Sequence, residues 1–171
     1  EFEIYNTSNG GIQWTRVPGT NIPNPLPGEF GFNNVGDVLG NTLWFGTSAG
    51  RIFRSQNAGL TWLVAQTPLP AVNMLSFADA QNGFVAVFDL HNSTIAHTAD
   101  GGVVWTDITP LNGAFRLLGA EYIPNSPFIM LGITRGSILT GPFETWLSPD
   151  RGATWQQISS GEIIGWPTFL D

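Results

Sequence analysis

The side chains of this sequence that could perform acid–base chemistry are carboxylates spread along its length. Six of them lie outside the repeated segments described below: Asp37, Asp79, Asp89, Asp107, Glu121 and Glu144. Hydrolysis of a glycosidic bond needs two carboxyl groups that face each other about 5–9 Å apart. The sequence does not single out such a pair, and Asp79 and Asp171 each stand two residues after a phenylalanine, which indicates a shared structural turn. We therefore assign no catalytic residue.

Asp89 and His91 form a more distinctive pair, because a carboxylate and an imidazole two residues apart can bind a ligand together. Neither has a counterpart elsewhere in the repeat, and irregular loop residues on a regular scaffold often carry function. His97 is the only other histidine, and the sequence suggests no third metal ligand beside His91 and His97. The chain has no cysteine, which excludes thiolate metal sites and disulfides. We predict no metal site and no cofactor.

Three tryptophans outside the repeated segments are candidates for stacking on sugar rings: Trp44, Trp146 and Trp166. The competing interpretation is packing between sheets, because aromatic side chains supply much of a protein core. These three residues, with Asp89 and His91, are the predicted binding residues. The proline-rich segment Gly19–Gly28 is predicted to be a linker or a binding loop.

A segment that contains Ser or Thr, Asp or Asn, Gly and Trp at fixed spacing recurs four times along the chain. An Asp or Asn accepts hydrogen bonds from nearby backbone amides, and a Gly two residues later supplies a positive φ. The Trp then lies on the following strand. We predict structural roles, in turns and core, for the residues at these positions: Asn9, Gly11, Trp14, Ser55, Asn57, Gly59, Trp62, Asp100, Gly102, Trp105, Ser148, Asp150, Gly152 and Trp155.

The spacing of the repeat predicts the architecture. Its tryptophans are 48, 43 and 50 residues apart, and apolar or alternating stretches predict four strands per unit. Such a period is typical of one blade of a β-propeller. The predicted fold is an all-β propeller domain of about three and a half blades. Its parts are the last two strands of a blade at 1–18, full blades at 29–67, 71–109 and 115–159, and a first strand at 163–171.

The repeated segments resemble the Asp-box, or bacterial neuraminidase, repeat, whose pattern is Ser-x-Asp-x-Gly-x-Thr-Trp. Ser148–Trp155 matches every specified position, and Ser55–Trp62 differs only by Asn57. The stretches Ser76–Phe84 and Gly119–Pro124 resemble propellers of photosystem II assembly factors and of large secreted Bacteroidetes-type proteins. The resemblance implies the fold and an extracellular or cell-surface location. It leaves the function open, because such propellers include sialidases, xyloglucan-cleaving enzymes, receptors and non-catalytic modules.

Composition narrows the classes of function. The net charge is −7, from 13 acidic residues against six arginines and no lysine. Nucleic-acid binding is therefore not expected, because it relies on clustered cations. No apolar run approaches the roughly 20 residues of a membrane span, so no transmembrane segment is predicted. A sialidase site is not predicted either, because the arginines occupy different blade positions and only Tyr5 and Tyr122 could serve as its nucleophile.

The expected function is a non-catalytic, secreted or cell-surface propeller that binds a protein or glycan partner, or serves as a scaffold in a larger protein. The alternative is part of a sialidase-like or xyloglucanase-like glycoside hydrolase. An assembly factor of the photosystem II type is a third interpretation. Because three and a half blades would leave sheet faces exposed, the chain is expected to be a fragment, to pair with a second copy, or to close as a small ring.

Overall fold

The computed structural model describes residues 1–89, 91–109, 114–123 and 126–161. Within these ranges the chain consists of fourteen β-strands and one 3₁₀ turn at Gly19–Asn21, which confirms the predicted all-β class. No helix in the described ranges is long and apolar enough to cross a membrane. Trp166 and the strand predicted at 163–171 lie outside the described residues.

The strands form one two-stranded and three four-stranded antiparallel sheets, and each sheet uses strands that are consecutive in the chain. The first sheet contains β1 (Tyr5–Asn6) and β2 (Thr15–Arg16). The second contains β3 (Gly31–Leu39), β4 (Thr42–Thr47), β5 (Arg51–Ser55) and β6 (Leu63–Gln66). The third contains β7 (Met74–Phe77), β8 (Gly83–Val87), β9 (Thr94–Thr98) and β10 (Thr106–Asp107). The fourth contains β11 (Arg116–Tyr122), β12 (Ile129–Ser137), β13 (Gly141–Ser148) and β14 (Gln156–Ser160).

Successive sheets are joined at their first strands. β7 lies beside β3 on one side and beside β11 on the other. Asp37 in β3 accepts a hydrogen bond of 2.7 Å from the Phe77 amide in β7, and the Ser76 hydroxyl in β7 donates to the Glu121 carboxylate in β11. Two of the carboxylates considered for acid–base chemistry therefore connect neighbouring sheets.

The four repeated segments fold into turns that share one set of hydrogen bonds. The opening Ser or Thr hydroxyl accepts a bond of 2.6–2.9 Å from the Gly amide four residues later. The same hydroxyl donates to the Asp or Asn side chain at 2.8–3.0 Å. That side chain accepts from the amide four residues beyond it at 2.8–3.0 Å. Only a residue without a side chain fits the Gly position without strain, because its φ lies between +82° and +99° in all four turns.

Apolar side chains fill the space between successive sheets. One cluster lies between the first and second sheets, one between the second and third, and one between the third and fourth. Trp62 and Trp105 from the repeated turns are buried in these clusters, and Trp155 packs against the last one. Trp14 is 58% exposed, because among the described residues no sheet covers the outer face of the first sheet.

Two places in the sheets depart from the regular pattern. β3, the first strand of its sheet, continues to Leu39 through an irregularity in its pairing between Gly31 and Gly36. Asn34 lies there with a φ of 59°, which its short polar side chain tolerates. The β12–β13 hairpin also extends further than the equivalent hairpins of the other sheets, and its tip exposes Leu139.

A buried ion pair holds the proline-rich connector Gly19–Gly28 against the second sheet. It is formed by Glu29, directly after the connector, and Arg51 in β5. The Glu29 side chain is 0% exposed and the Arg51 side chain 12% exposed. Arg51 donates to the Glu29 carboxylate through Nε at 2.9 Å and also through Nη2, and to the Asn24 carbonyl. Burial raises the pKa of Glu29, but hydrogen bonds from Arg51, Thr47 and the Leu26 amide outweigh it and leave the pKa below its usual value.

We predict that Glu29→Gln lowers the free energy of unfolding by about 3–5 kcal/mol at neutral pH, because it leaves the Arg51 guanidinium without its counter-ion. The difference from wild type should be fully present above the pKa of an unfolded glutamate, about 4.3. It should disappear as the pH falls through the lower pKa of the folded protein. Urea unfolding at a series of pH values measures this difference.

Glu3→Gln is the matched control, because Glu3 makes an exposed ion pair with Arg16 and its side chain is 62% exposed. Its loss should change the free energy of unfolding by less than about 1 kcal/mol. Equal urea midpoints for wild type and Glu29→Gln at neutral pH would show that the buried pair does not hold the connector.

Candidate functional site

A groove of about 1160 Å³ lies between the third and fourth sheets. One wall is formed by His97 and by β10 with the residues that follow it. The other is formed by the repeated turn of the fourth sheet, from Asp150 to Trp155, with Arg135 and Trp146 beside it. This volume is slightly above the usual range for ligand pockets, about 300–1,000 Å³. It is large enough for several sugar rings or a short peptide.

We call the contact region between two successive sheets a seam. The seam between the second and third sheets, which precedes the groove along the chain, is closed by two side-chain donors. Trp44 in β4 donates from Nε1 to the Gly101 carbonyl at 2.9 Å. Arg54 in β5 donates from Nη1 to the carbonyls of Gly101 and Asp100 at 3.1 and 3.3 Å. These carbonyls belong to the repeated turn of the third sheet, so both donors hold that turn against the second sheet.

The equivalent positions in the third sheet carry different side chains. Trp44 and Arg54 are directly opposite each other in the β4–β5 pairing, and Phe84 and His97 are opposite each other in the β8–β9 pairing. Phe84 has no polar group to donate. His97 Nε2 is buried and has no hydrogen-bond partner among the described residues. Neither residue therefore holds the repeated turn of the fourth sheet as Trp44 and Arg54 hold that of the third.

The tryptophan of the fourth sheet's turn is also bonded differently. Trp62 and Trp105 each donate from Nε1 to the glycine carbonyl of their own turn, Gly59 and Gly102. Trp155 donates instead to the Ile108 carbonyl of the third sheet at 3.1 Å. Both tryptophans of the groove, Trp146 and Trp155, are half-buried, so part of each ring faces solvent.

His97 and Arg151 face the groove from opposite walls. Burial, and then the positive charge of Arg151, lower the pKa of His97, while the Asp79 carboxylate acts in the opposite direction. His97 is therefore predominantly neutral at physiological pH. Arg151 is exposed, and its positive charge contributes to the lowered pKa of Asp79, together with hydrogen bonds from Asn82 and Gln81. Arg151 has a φ of 57° and stands where the turn of the third sheet has Gly101.

Arg135 and Trp146 belong to a polar cluster on the fourth-sheet wall. Arg135 Nε donates to the Glu144 carboxylate at 3.2 Å, and its guanidinium lies 5.9 Å from the centre of the Trp146 ring. Trp146 Nε1 donates to Glu144 at 2.7 Å. These contacts fix the orientation of the indole ring and place a cation beside it.

Asp107 and Asp150 supply the acidic groups of the groove. One oxygen of Asp107 accepts from the Thr109 amide at 2.8 Å. Hydrogen bonds from the Thr154 hydroxyl and amide are the largest cause that lowers the pKa of Asp150. Asp150 is therefore ionised at neutral pH and can accept further hydrogen bonds from a ligand.

The structure brings one of the predicted binding tryptophans into the groove. Trp146 lines it, whereas Trp44 is 2% exposed and stacks on Phe77 with ring centres 3.8 Å apart. Trp44 thus has no free face for a ligand, as the packing interpretation expected. Trp166 lies outside the described residues.

Asp89 and His91 lie in the loop between β8 and β9 and do not line the groove, although the adjacent Asn92 does. One Asp89 oxygen accepts from the amides of His91 and Asn92 at 2.7 and 3.0 Å, and these bonds lower the pKa of Asp89. The His91 side chain is 91% exposed. The carboxylate therefore stabilises a turn, and the imidazole points into solvent. No group of three His, Asp or Glu side chains within the described ranges could hold a metal ion.

Sequence reasoning missed His97 and Arg151 as members of one site. The signal was present in the repeat, because His97 stands one residue before Thr98, where the second sheet has Arg54 before Ser55. Likewise Arg151 occupies a turn position at which the other three turns have the small residues Gly10, Ala58 and Gly101. An alignment of the four units position by position, rather than a search for conspicuous residues, would have identified both.

Comparison with known proteins supports the fold. Neither the family models nor the curated proteins provide a match to this chain. Among solved structures, the GH74 enzyme of Niastella koreensis has a TM-score of 0.61 and 19% identity over 90% of this chain. YCF48 from Cyanidioschyzon merolae has a TM-score of 0.54 and 17% identity over 78%. The GH74 xyloglucanase from Xanthomonas campestris has a TM-score of 0.52 and 16% identity over 70%.

These matches confirm the predicted class of fold, a partial β-propeller similar to YCF48 and GH74 propellers. At these identities they show the fold and not the activity. This chain spans 26%, 38% and 19% of the lengths of the three matched chains, in the order given above. Each four-stranded sheet is a blade of the propeller, and the groove lies between two successive blades.

We predict that Trp44→Phe lowers the free energy of unfolding by about 1–3 kcal/mol, because it removes a buried hydrogen bond to the Gly101 carbonyl, which keeps only Arg54 as donor, and shortens a buried ring. Trp14→Phe is the matched control, since Trp14 is 58% exposed and its replacement should change stability by less than about 0.5 kcal/mol. Thermal and urea unfolding provide the measurement. A smaller loss for Trp44→Phe than for Trp14→Phe would mean that the indole donor does not stabilise the seam.

Proposed function

We propose that this chain is a non-catalytic binding module and that its ligand occupies the groove between the third and fourth sheets. The observation that carries the proposal is the difference between two successive seams. Trp44 and Arg54 close the seam between the second and third sheets. Phe84 and His97 stand in their place at the next seam, where the groove is found.

The composition of the groove suits recognition. Half-buried indole rings offer flat apolar surface, and arginine, aspartate and asparagine side chains offer donors and acceptors around it. Such a combination of apolar surface with a few oriented polar groups is typical of ligand sites. As the family resemblance implies, we propose that the module acts outside the cell or at its surface.

Binding fits the acidic groups of the groove better than catalysis does. A glycosidase needs one carboxyl whose pKa is raised so that it can donate a proton. Asp150 has a lowered pKa because the Thr154 hydroxyl and amide bond to it, and Asp107 is engaged by the Thr109 amide. Both carboxylates are placed to accept hydrogen bonds.

A second candidate function is a segment of a glycoside hydrolase. The fold likeness to GH74 enzymes favours it, and so does the placement of Asp107 and Asp150 on opposite walls of one groove. Release of reducing sugar from xyloglucan, abolished by Asp107→Asn, would support this candidate over the binding module. The binding module predicts no release with either wild type or Asp107→Asn.

Ala153→Trp tests whether the groove is the binding site. Ala153 is exposed and lines the groove in the turn of the fourth sheet, so an indole at this position should obstruct the groove without disturbing the core. The measurement is binding to an array of neutral and uronate oligosaccharides and of neutral and acidic peptides. We expect wild type to bind members of one class and Ala153→Trp to bind them at least tenfold more weakly.

Val103→Trp is the matched control, because Val103 occupies the same turn position in the third sheet, is 54% exposed and does not line the groove. It should bind as wild type does. The proposal fails if wild type binds nothing on the array, or if Ala153→Trp and Val103→Trp retain binding equally.

A further inference from the structure

We propose that His97 makes the contact between the third and fourth sheets acid-sensitive, so that protonation of its imidazole loosens the repeated turn of the fourth sheet from the third sheet. The inference concerns the seam itself and does not depend on which ligand the groove binds. One consequence, a groove whose affinity for its ligand changes with pH, rests on the proposed function. His97 is one of two histidines in the chain, and histidine is the side chain that ordinarily changes its charge near physiological pH.

His97 lies on the face of the third sheet that packs against the fourth. Its cross-strand neighbours are Phe84 in β8 and Thr106 in β10, and directly opposed side chains lie on the same face of a sheet. Phe84 is fully buried in the apolar cluster between the two sheets, and its ring centre lies 5.5 Å from that of Tyr122 in β11. The His97 imidazole therefore lies at the seam.

The surroundings of the imidazole suit its neutral form. Nε2 of His97 is buried and has no hydrogen-bond partner among the described residues. A neutral imidazole has one N–H, whereas a protonated imidazole has an N–H on both nitrogens. Protonation would therefore bury a charged donor that no described residue can accept from. Burying an unpaired charge is much more costly than burying an unpaired neutral nitrogen.

Two charged groups from neighbouring elements act on His97 in opposite directions. Burial lowers the pKa of His97 most, and the positive charge of Arg151 in the fourth-sheet turn lowers it further. The Asp79 carboxylate, in the turn between β7 and β8, raises it. Asp79 also accepts from the amides of Gln81 and Asn82 at 2.7 and 2.8 Å. The net effect is a lowered pKa, so Asp79 does not compensate for burial and for Arg151.

The other titratable groups near this seam do not supply a counter-ion. Tyr122 is the titratable group on β11, and burial raises its pKa, so its hydroxyl is uncharged at neutral and acidic pH. The remaining charged side chains that line the groove are engaged by Glu144, by the Thr109 amide and by Thr154, and they are Arg135, Asp107 and Asp150 respectively.

The fourth-sheet turn contacts the third sheet at Ile108. Trp155 Nε1 donates to the Ile108 carbonyl at 3.1 Å. Gly152 packs so closely on the Ile108 side chain that a Cβ at this position would overlap it. Arg151 directly precedes Gly152 in the same turn. Repulsion between a protonated His97 and Arg151 therefore acts on the segment that forms the contact.

The direction of the pH effect follows from comparing the closed seam with an opened one. In the opened seam His97 is exposed, and its pKa returns to the ordinary value of about 6.5. Above this pH the imidazole is neutral in both states, and the closed seam has its full stability. As the pH falls below about 6.5, the opened state binds a proton and the closed state does not, so the closed seam loses stability. The loss is complete at the lower pKa of His97 in the closed state.

Exchange of two indole protons with deuterium, followed by NMR, tests the inference. Trp155 Nε1–H spans the third–fourth seam, and Trp44 Nε1–H spans the second–third seam. The ratio of their exchange rates removes the direct effect of pH on exchange. We expect the rate for Trp155 relative to Trp44 to rise about fivefold or more from about pH 7.5 to about pH 5.5 in wild type, because local opening exposes the proton.

His97→Gln should abolish this rise, because glutamine takes up no proton at these pH values. Its ratio should change less than about twofold over the same range. His91→Gln is the matched control, since it removes the other histidine, whose side chain is 91% exposed. It should behave as wild type does.

Titration of the His97 Cε1–H resonance in wild type keeps the test independent of whether His97→Gln folds. The midpoint should lie below about 6.5, the ordinary value for histidine. His91→Gln assigns the resonance, because it leaves His97 as the single histidine of the chain.

Three results would overturn the inference. They are a His97 midpoint at or above about 6.5, an exchange ratio in wild type that does not change with pH, and an equal pH-dependent rise in wild type and His97→Gln. None of them bears on the proposed function, which Ala153→Trp and Val103→Trp test separately at neutral pH. A ratio that rises in wild type alone, in a protein that binds no ligand, would support the acid-sensitive seam while the proposed function fails.

Discussion

The second sheet is docked on the third by hydrogen bonds from strand side chains to the carbonyls of the repeated turn, in addition to the apolar cluster between them. A carbonyl that faces a neighbouring sheet must find a donor or remain open to water, because leaving it buried and unpaired is costly. Trp44 and Arg54 satisfy the carbonyls of Asp100 and Gly101, and the second and third sheets close together. The next seam lacks both donors and is held instead by the Trp155 bond to the Ile108 carbonyl and by an apolar cluster, and the groove lies beside these contacts.

The repeat therefore combines constant structural positions with variable ones. Its hydroxyl, carboxylate or amide, and glycine positions build the same turn four times and are structural in every copy. The positions between them carry different side chains in the four copies, and the hydrogen bonds of the turn stay the same. His97 and Arg151 occupy two such positions, on facing walls of the same seam. A binding site can thus be added to a propeller by changing residues at the seam while the turn that supports it is retained.

The fold could be predicted from the sequence because its signals are local and repeated. The spacing of Gly and Trp in four segments predicts the turns, and the apolar stretches between them predict the strands. The end of β3 could not be predicted in this way, since it depends on a pairing irregularity near Asn34. Glu29 and Arg51 are 22 residues apart in the sequence, so their buried ion pair is a property of the tertiary structure.

The site was less accessible to prediction for a physical reason. Trp44 and Trp146 are the same residue type at strand positions of similar appearance, yet one is stacked on Phe77 and the other faces a groove. Their difference depends on the separation of neighbouring sheets, which the sequence of either strand does not contain. Asp89 and His91 are irregular positions of the repeat, and the structure shows that Asp89 accepts hydrogen bonds from the amides of its own loop.

The most direct measurement is a crystal structure of the double variant His97→Arg and Arg151→Gly, which reproduces the Arg54–Gly101 pair at the open seam. If the donors at the seam decide its closure, the guanidinium introduced at position 97 will donate to the carbonyls of residues 150 and 151. The groove will then be much smaller than its present 1160 Å³. A guanidinium turned into solvent beside a groove of unchanged volume would contradict this account.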